Sequence, residues 1–436
     1  MSIALRPRHS RDEQALRVVD ALHGWFAGRG FDIPIRRWDG GELGPADARW
    51  RLILEHPWSL RSLLLPPTDL NAGEAYIYGE ADVAGSMVAA LRTIAKLRAV
   101  PLAVGDRLRL ARQLRRLPPP PSRESPGGGA RFGGRLHSRE RDAQAVRFHY
   151  DVGNDFYRLF LDRRLVYSCA YFDEADREAP LQDEQLDRAQ RRKLDLICRK
   201  LHLQPGETFL DIGCGWGSLV LHAAQEYGVR ALGVTLSEQQ AALAKERIAA
   251  AGLEDRVEVR VADYRDVDRR FDAVASVGMF EHVGAAQLGS YFERVFELTA
   301  QEGRFLNHGI TTGGRGTVRD FGRRNNTFVG RYVFPDGALL PARETVRLME
   351  ETGFELVDVE QLRPHYARTL SHWVDRLERH ADEARRVVGD ATYRVWRAYM
   401  AGSVIGFETN DLGVVQVLGG KGWNPPWGRA HQRPTA

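Results

Sequence analysis

Apolar positions along this 436-residue chain keep two rhythms that alternate through its middle third. From 207 to 309, short apolar runs take turns with stretches in which apolar residues recur every three or four positions. They predict strands at 207–212, 230–235, 256–261, 271–277 and 303–309, and helices at 217–227, 237–251 and 285–299. Strands alternating with helices imply an α/β fold with a parallel sheet covered on both faces. Helical patterns at 145–162 and 183–202 come before the alternation. After 311 the pattern is irregular, then helical at 343–353, 369–387 and 389–406, as expected of an insertion over the sheet.

The first 117 residues read differently. Strand-like runs at 50–54 and 75–78 accompany a helical one at 86–97, predicting a small α+β domain. The stretch PPPPSRESPGGGARFGGRLHS (118–138) buries little apolar surface and reads as part of a linker over 118–144. A second domain then spans 145–420, and 421–436 reads as a flexible tail.

Composition narrows the class. Hydrophobic residues at 43% and charged residues at 28% describe a globular protein, and a formal charge of +4 is too balanced to make nucleic acid the main partner. Cys169, Cys198 and Cys214 are too widely spaced for a zinc ribbon or a disulfide framework, so no metal is expected and a reducing cytoplasm fits. The charged N-terminus does not read as a signal peptide, and no apolar stretch is long enough to span a bilayer, so membrane contact is expected to be peripheral. In the segment 106–117, Arg109, Arg112 and Arg116 share one helical face beside Leu110, Leu114 and Leu117. Charge pattern alone fits a headgroup-binding helix and a solvated one equally. Arg315, Arg319, Arg323, Arg324 and Arg331 form a second basic group.

The candidate chemistry sits in LDIGCGWGSL (210–219), where a strand ends in Asp211 and a tight turn carries Gly213, Gly215 and Gly217. No lysine of the GK[ST] type follows, which excludes a P-loop. A glycine-rich strand-to-helix turn also occurs without a ligand, and the motif alone leaves that reading open.

The spacing Asp-x-Gly-x-Gly-x-Gly resembles the first motif of class I S-adenosylmethionine methyltransferases, in which the glycines leave room for the methionine part of the ligand. The generic pattern ends its second strand in an acidic residue, whereas this strand ends in Thr235. The stretch VTLSEQQ (234–240) is similar to that of cyclopropane fatty acid synthases and mycolic acid cyclopropane synthases. FHYDVGNDFYRLFLD (148–162), YSCAYF (167–172), GMFEHVG (278–284), NHGI (307–310) and HYARTL (365–370) follow in that family's order. GEAYIYGEADVAG (73–85) is similar to the N-terminal lipid-binding domain of the longer synthases.

The resemblance implies a Rossmann-like class I methyltransferase domain with mainly helical lipid-site insertions, preceded by the small α+β domain. It implies S-adenosylmethionine as cosubstrate, contacted by Tyr167, Ser168, Asp211, Gly213, Gly215, Gly217, Thr235, Gln240, Asp263 and Tyr264. It further implies a bound bicarbonate ion as base, held by Cys169, Glu281, His308, Ile310 and Tyr366. Taken singly, each of these five has a packing or capping role open to it.

The substrate implied is a cis alkene of a phospholipid acyl chain. Its attack on the sulfonium methyl leaves a carbocation, for which Phe148, Tyr150, Phe156, Tyr157, Tyr167, Tyr171 and Phe172 are suitable ring faces. Ring closure gives a cyclopropane. Loss of a different proton gives a methylene branch, which a partner reductase would saturate. The same resemblance implies a homodimer and a place on the inner face of the membrane. A small-molecule N-methyltransferase and a non-catalytic lipid-binding protein are the alternatives from other classes.

Overall fold

The computed structural model describes residues 8–122, 152–314, 316–320 and 327–425, with 133, 138, 141 and 144. Most of the linker, Phe148, Tyr150, Arg315, Arg323, Arg324 and residues 426–436 of the tail lie outside the described residues. The chain forms two compact units. Met1–Ala130, Asn326–Val333 and Ala381–Ile405 make one; Arg131–Asn325, Phe334–His380 and Gly406–Ala436 make the other. Two segments that the sequence analysis placed in the C-terminal domain thus pack with the N-terminal residues. An amphipathic pattern shows that a helix buries one face, and says nothing of what covers it.

The first unit holds helix α1 (Arg8–Ala27) and a four-stranded sheet of β1 (Ile35–Arg36), β2 (Glu42–Leu43), β3 (Trp50–Leu54) and β4 (Ala81–Gly85), in the order β2-β1-β3-β4. Around them lie α2 (Ser59–Leu64), α3 (Asp69–Ile77), α4 (Met87–Ala99) and α5 (Val104–Arg116). Residues 75–78, expected as a strand, are the end of α3. The Thr68 side chain accepts from Asn71 N, Asp69 occupies the first turn, and Ala75, Tyr76 and Ile77 are buried, so capping and tertiary burial outweigh the β preference of Tyr-Ile-Tyr. Leu114 and Leu117 of the basic segment pack into the core with Val18, Leu22 and Leu60. The apolar side of α5 therefore faces inward, while Arg109, Arg112 and Arg116 are exposed.

The returning segment ties this unit together. Arg397, 5% exposed, donates to Tyr76 Oη (3.1 Å), Val83 O (3.0 Å) and Gly85 O (2.6 Å). Arg394 donates to Asp82 (2.9 Å). The helical stretch Ala381–Glu408 that carries them breaks at Gly389 (φ 80°, ψ 160°), a backbone region essentially restricted to glycine. The two helices expected at 369–387 and 389–406 are thus divided at 380 and again at 389.

The second unit opens with a short helix, Asn154–Arg158, and α6 (Asp183–Lys200). There follow β5 (Thr208–Ile212), α7 (Ser218–Tyr227), β6 (Arg230–Thr235), α8 (Glu238–Ala250), β7 (Val257–Val261), β8 (Phe271–Val277), α9 (Leu288–Leu298) and β9 (Thr299–Thr312). Then come β10 (Arg319–Asp320), β11 (Ala338–Pro341), α10 (Ala342–Glu351), β12 (Glu355–Gln361), α11 (Arg363–Arg379) and β13 (Leu412–Lys421). Through the alternating region the expected elements match the observed ones to within a few residues at their ends.

Strand order is β7-β6-β5-β8-β9-β13-β12, with β11 pairing the far end of β9 and β10 pairing β11. The sheet is mixed, because β13 runs antiparallel to both β9 and β12. The strands expected between 207 and 309 do pair in parallel, and the antiparallel addition comes from β12 and β13, for which the sequence pattern predicts no strand. Eight consecutive residues of β13 are buried, so both faces are covered and no period-2 signal marks it.

Alternate residues of β5 serve opposite cores. Phe209 packs with Leu194, Val220 and Ala244, and Leu210 with Phe292, Val295 and Phe305. The chain moves outward from β5 through β6 to β7, then returns to β8 on its other side. That reversal opens a crevice at the carboxyl ends of β5 and β8.

Candidate active site

A cavity of about 340 Å³ lies at that reversal. Tyr167, Ser168, Asp211, Gly213, Gly215, Thr235, Gln240, Asp263 and Tyr264 all line it. Gly217 does not; it caps α7 in the left-handed conformation (φ 77°), and a Cβ there would meet Ala244 Cβ at 3.1 Å. Gly213 (φ 79°) and Gly215 (φ 54°) share that backbone region, so the motif turns the chain sharply enough to leave the strand end open. Thr235 Oγ1 donates to Gln240 Oε1 (2.8 Å), which orients the Gln240 amide at the wall. Asp263 accepts from Arg265 Nε at 2.8 Å and from Arg265 N at 2.9 Å.

Asp211 is 3% exposed, and burial raises its carboxyl to about 7, an effect the nearby Lys193 opposes. Lys193 also lines the cavity and was not singled out from the sequence. Its signal was its place on α6, where Leu186, Ala189, Ile197 and Lys200 mark the buried face and position 193 falls among them.

The five residues of the implied base site do not line this cavity; they lie behind it. Glu281 sits in the turn Phe280–His282, and Met279, His282 and Val283 around it form cavity wall. Glu281 Oε1 accepts from Ile310 N at 2.6 Å, so that N–H is engaged by the glutamate. Burial raises the Glu281 carboxyl to about 7, with the Ile310 N–H opposing. His308 lies two residues before Ile310 on β9, and Gly278 N donates to its carbonyl (2.8 Å). Burial, with the fields of Lys193 and Lys200, holds the imidazole well below its usual range, and hence neutral. Gln416 Nε2 meets His308 Nδ1 at 3.1 Å; with the amide as donor, the ring proton sits on Nε2.

Cys169 and Tyr366 meet around the start of α11. Cys169 Sγ lies 3.7 Å from Leu362 O, which also accepts from Tyr366 N (3.1 Å). The Cys169 thiol is fully buried and raised far above its ordinary range by desolvation, which makes it inert as a nucleophile. Aromatic rings link this corner to the cavity: Trp216 to Tyr157 (4.9 Å), Tyr157 to Tyr167 (5.5 Å), Tyr167 to Trp373 (5.1 Å) and Trp373 to Tyr366 (6.0 Å).

Glu281 Oε2 and His308 Nε2 are both buried and have no hydrogen-bond partner among the described residues. A small ion carrying both a hydroxyl and acceptor oxygens satisfies such a pair, with Glu281 as acceptor and the His308 Nε2–H as donor, and bicarbonate fits in that sense. Ile310 fits it less well, since its N–H is already taken.

Comparison with known proteins gives the family. Residues 137–417 match the family model described as mycolic acid cyclopropane synthetase. The chain belongs to this family. Among curated relatives of the synthetase family, a probable fatty acid methyltransferase of Pseudomonas putida is 38% identical over 406 residues, covering 91% of this chain and 95% of its own. The cyclopropane synthase MmaA2 of Mycobacterium tuberculosis superposes with a TM-score of 0.59 at 33% identity, covering 66% of this chain and all of that one. The mycolic acid cyclopropane synthase CmaA1, solved with SAH and CTAB, gives 0.58 at 31% identity over 64% of this chain and 98% of its own. The second unit is thus a class I S-adenosylmethionine methyltransferase of the synthetase family, with S-adenosylmethionine as cosubstrate.

Proposed function

We propose that the protein transfers the methyl group of S-adenosylmethionine to the cis double bond of unsaturated fatty acyl chains in phospholipids and closes a cyclopropane ring. The observation that carries this reading is the single turn, residues 279–283, that walls the cofactor cavity and holds Glu281 against Ile310. A small-molecule N-methyltransferase needs no dry polar cluster behind its cofactor. The alkene is a weak nucleophile, so the site must exclude water and face the developing cation with ring faces. The half-buried Tyr167 lines the cavity, and the buried rings of Tyr157 and Trp373 back it, an aromatic wall suited to that task. Bicarbonate, when bound, supplies the base that removes the proton. Glu281, His308, Tyr366 and the Cys169 backbone are the groups proposed to hold it, with the Ile310 N–H joining them only where Glu281 releases it, and the neutral imidazole leaves His308 a donor rather than a competing base.

A second product from the same site is a methylene branch in place of the ring, and the name of the Pseudomonas putida relative, a probable fatty acid methyltransferase, fits either. Both begin with the same cation and differ in which proton leaves. Bacterial cells rich in monounsaturated phospholipid, fed labelled methionine and expressing the protein, separate the two by gas chromatography with mass spectrometry of the fatty esters. A gain of one CH₂ with no alkene remaining is the expected result; a gain with a displaced double bond indicates the branch and calls for a reductase. Unlabelled lipid, with cofactor binding intact, overturns both.

No helix among the described residues is long and apolar enough to cross a membrane. Access to acyl chains is proposed through peripheral contact at the inner face of the membrane, with the exposed arginines of α5 on anionic headgroups. A homodimer is proposed on family resemblance alone.

A further inference from the structure

Lys193 is a buried cation for which the assignments so far give no purpose. It is 2% exposed, and its ammonium donates to Ser168 Oγ at 2.9 Å. No carboxylate among the described residues comes within ion-pair distance of it, although Asp162 and Asp211 are near enough to act on its charge. Asp162 is occupied elsewhere, accepting from Arg164 N (3.0 Å) and Val166 N (2.8 Å). Asp211 Oδ1 is buried and has no hydrogen-bond partner among the described residues. Lys193, Ser168 and Asp211 all open onto the one cavity.

An unpaired buried ammonium beside an unsatisfied carboxylate is costly unless something of opposite charges arrives to meet both. A zwitterionic amino acid does so. Asp211 lies on β5 and Asp263 follows β7, two strands away and therefore about 10 Å along the sheet. That separation places Asp263 at one end of the cavity and the Lys193 group at the other; with the adenine at Asp263 and Tyr264, as the family resemblance implies, the amino-acid end of the ligand falls at Lys193.

We infer that Lys193 binds the α-carboxylate of the cosubstrate, held in line by Ser168, while Asp211 receives the α-ammonium. The inference rests on the methyltransferase reading, since it presupposes S-adenosylmethionine in this cavity. Burial lowers Lys193 to about 8, which leaves much of it charged near neutral pH and consistent with such a role.

The test is calorimetric titration of the full chain with three compounds: S-adenosylhomocysteine, its decarboxylated analogue, and 5′-methylthioadenosine, which lacks the amino-acid end. Wild type is expected to prefer S-adenosylhomocysteine over the decarboxylated analogue by about 10- to 100-fold, the range of one charge-assisted hydrogen bond. Lys193→Met is expected to reduce that preference to about threefold or less while leaving 5′-methylthioadenosine affinity unchanged, with Lys193→Arg in between. A purely structural lysine would weaken all three compounds alike, and that result overturns the inference. So does a wild type that binds the two carboxyl variants equally, which decides the matter even if Lys193→Met fails to fold. Failure of wild type to bind any of the three would remove the methyltransferase reading itself.

Discussion

At the scale of single residues, Glu281 carries the most testable chemistry. Glu281→Gln keeps the shape of the side chain and removes its ionisation, so labelled lipid product is expected to fall by on the order of 100-fold or more. Its stability signature is separable from this. The folded-state carboxyl is raised to about 7 from 4.5, so between those values the native state holds more protons than the unfolded one. Stability from this group is full below pH 4.5 and is lost as pH rises through about 7. Urea unfolding in bicarbonate-free buffer should therefore show Glu281→Gln gaining on wild type as pH rises from 5 to 7, by on the order of 1 kcal/mol per pH unit. A difference independent of pH would mean that the carboxylate is already ionised in the fold.

That Asp211, Gly213 and Gly215 open onto one cavity was legible in the sequence because a glycine turn at a strand end is a local device, fixed by residues 211–217. Lys193 was not legible, because its meaning depends on Ser168 and Asp211 arriving from other elements. The engagement of Ile310 N by Glu281 was hidden for the same reason, since it joins two strand ends.

Among elements, the β5–α7 turn divides stability from binding. Gly217→Ala places a Cβ in left-handed backbone against Ala244, and is expected to lower unfolding free energy by ~1–2 kcal/mol. Gly213→Ala presses instead on the Met279 side chain, 3.0 Å from the added Cβ, in the cavity wall. It should weaken S-adenosylhomocysteine binding by roughly tenfold or more, beyond its cost in stability. Chemical denaturation and titration on both variants check the split. The regular strands and helices between 207 and 309 could be read from periodicity, which each of them displays on its own. β13 could not, since its ten residues are defined by pairing with β9 and β12 rather than by any alternation.

At the scale of the whole molecule, the first unit is incomplete without the residues that return to it. A fragment ending at residue 130 would leave Tyr76, Asp82 and the carbonyls of Val83 and Gly85 without Arg394 and Arg397. It is expected to show no cooperative thermal transition by circular dichroism, whereas the full chain does. In the full chain, Arg397→Ala is expected to destabilise by about 2–4 kcal/mol through lost charge-assisted bonds. Replacing Arg109, Arg112 and Arg116 by Glu should abolish cosedimentation with anionic phospholipid vesicles at low salt, and added salt should weaken wild-type binding. Unchanged binding would assign the membrane contact to another surface. The proline- and glycine-rich run marked a division of the chain, yet composition carries no record of segments that cross back.

That return also orders events in time. A ribosome delivers this chain from residue 1 onward, but the first unit has its last packing segment only when Ile405 has left the exit tunnel. The N-terminal residues must wait until that distant segment is synthesised before their fold can close, which gives any chaperone that meets the nascent chain a long interval in which to bind it.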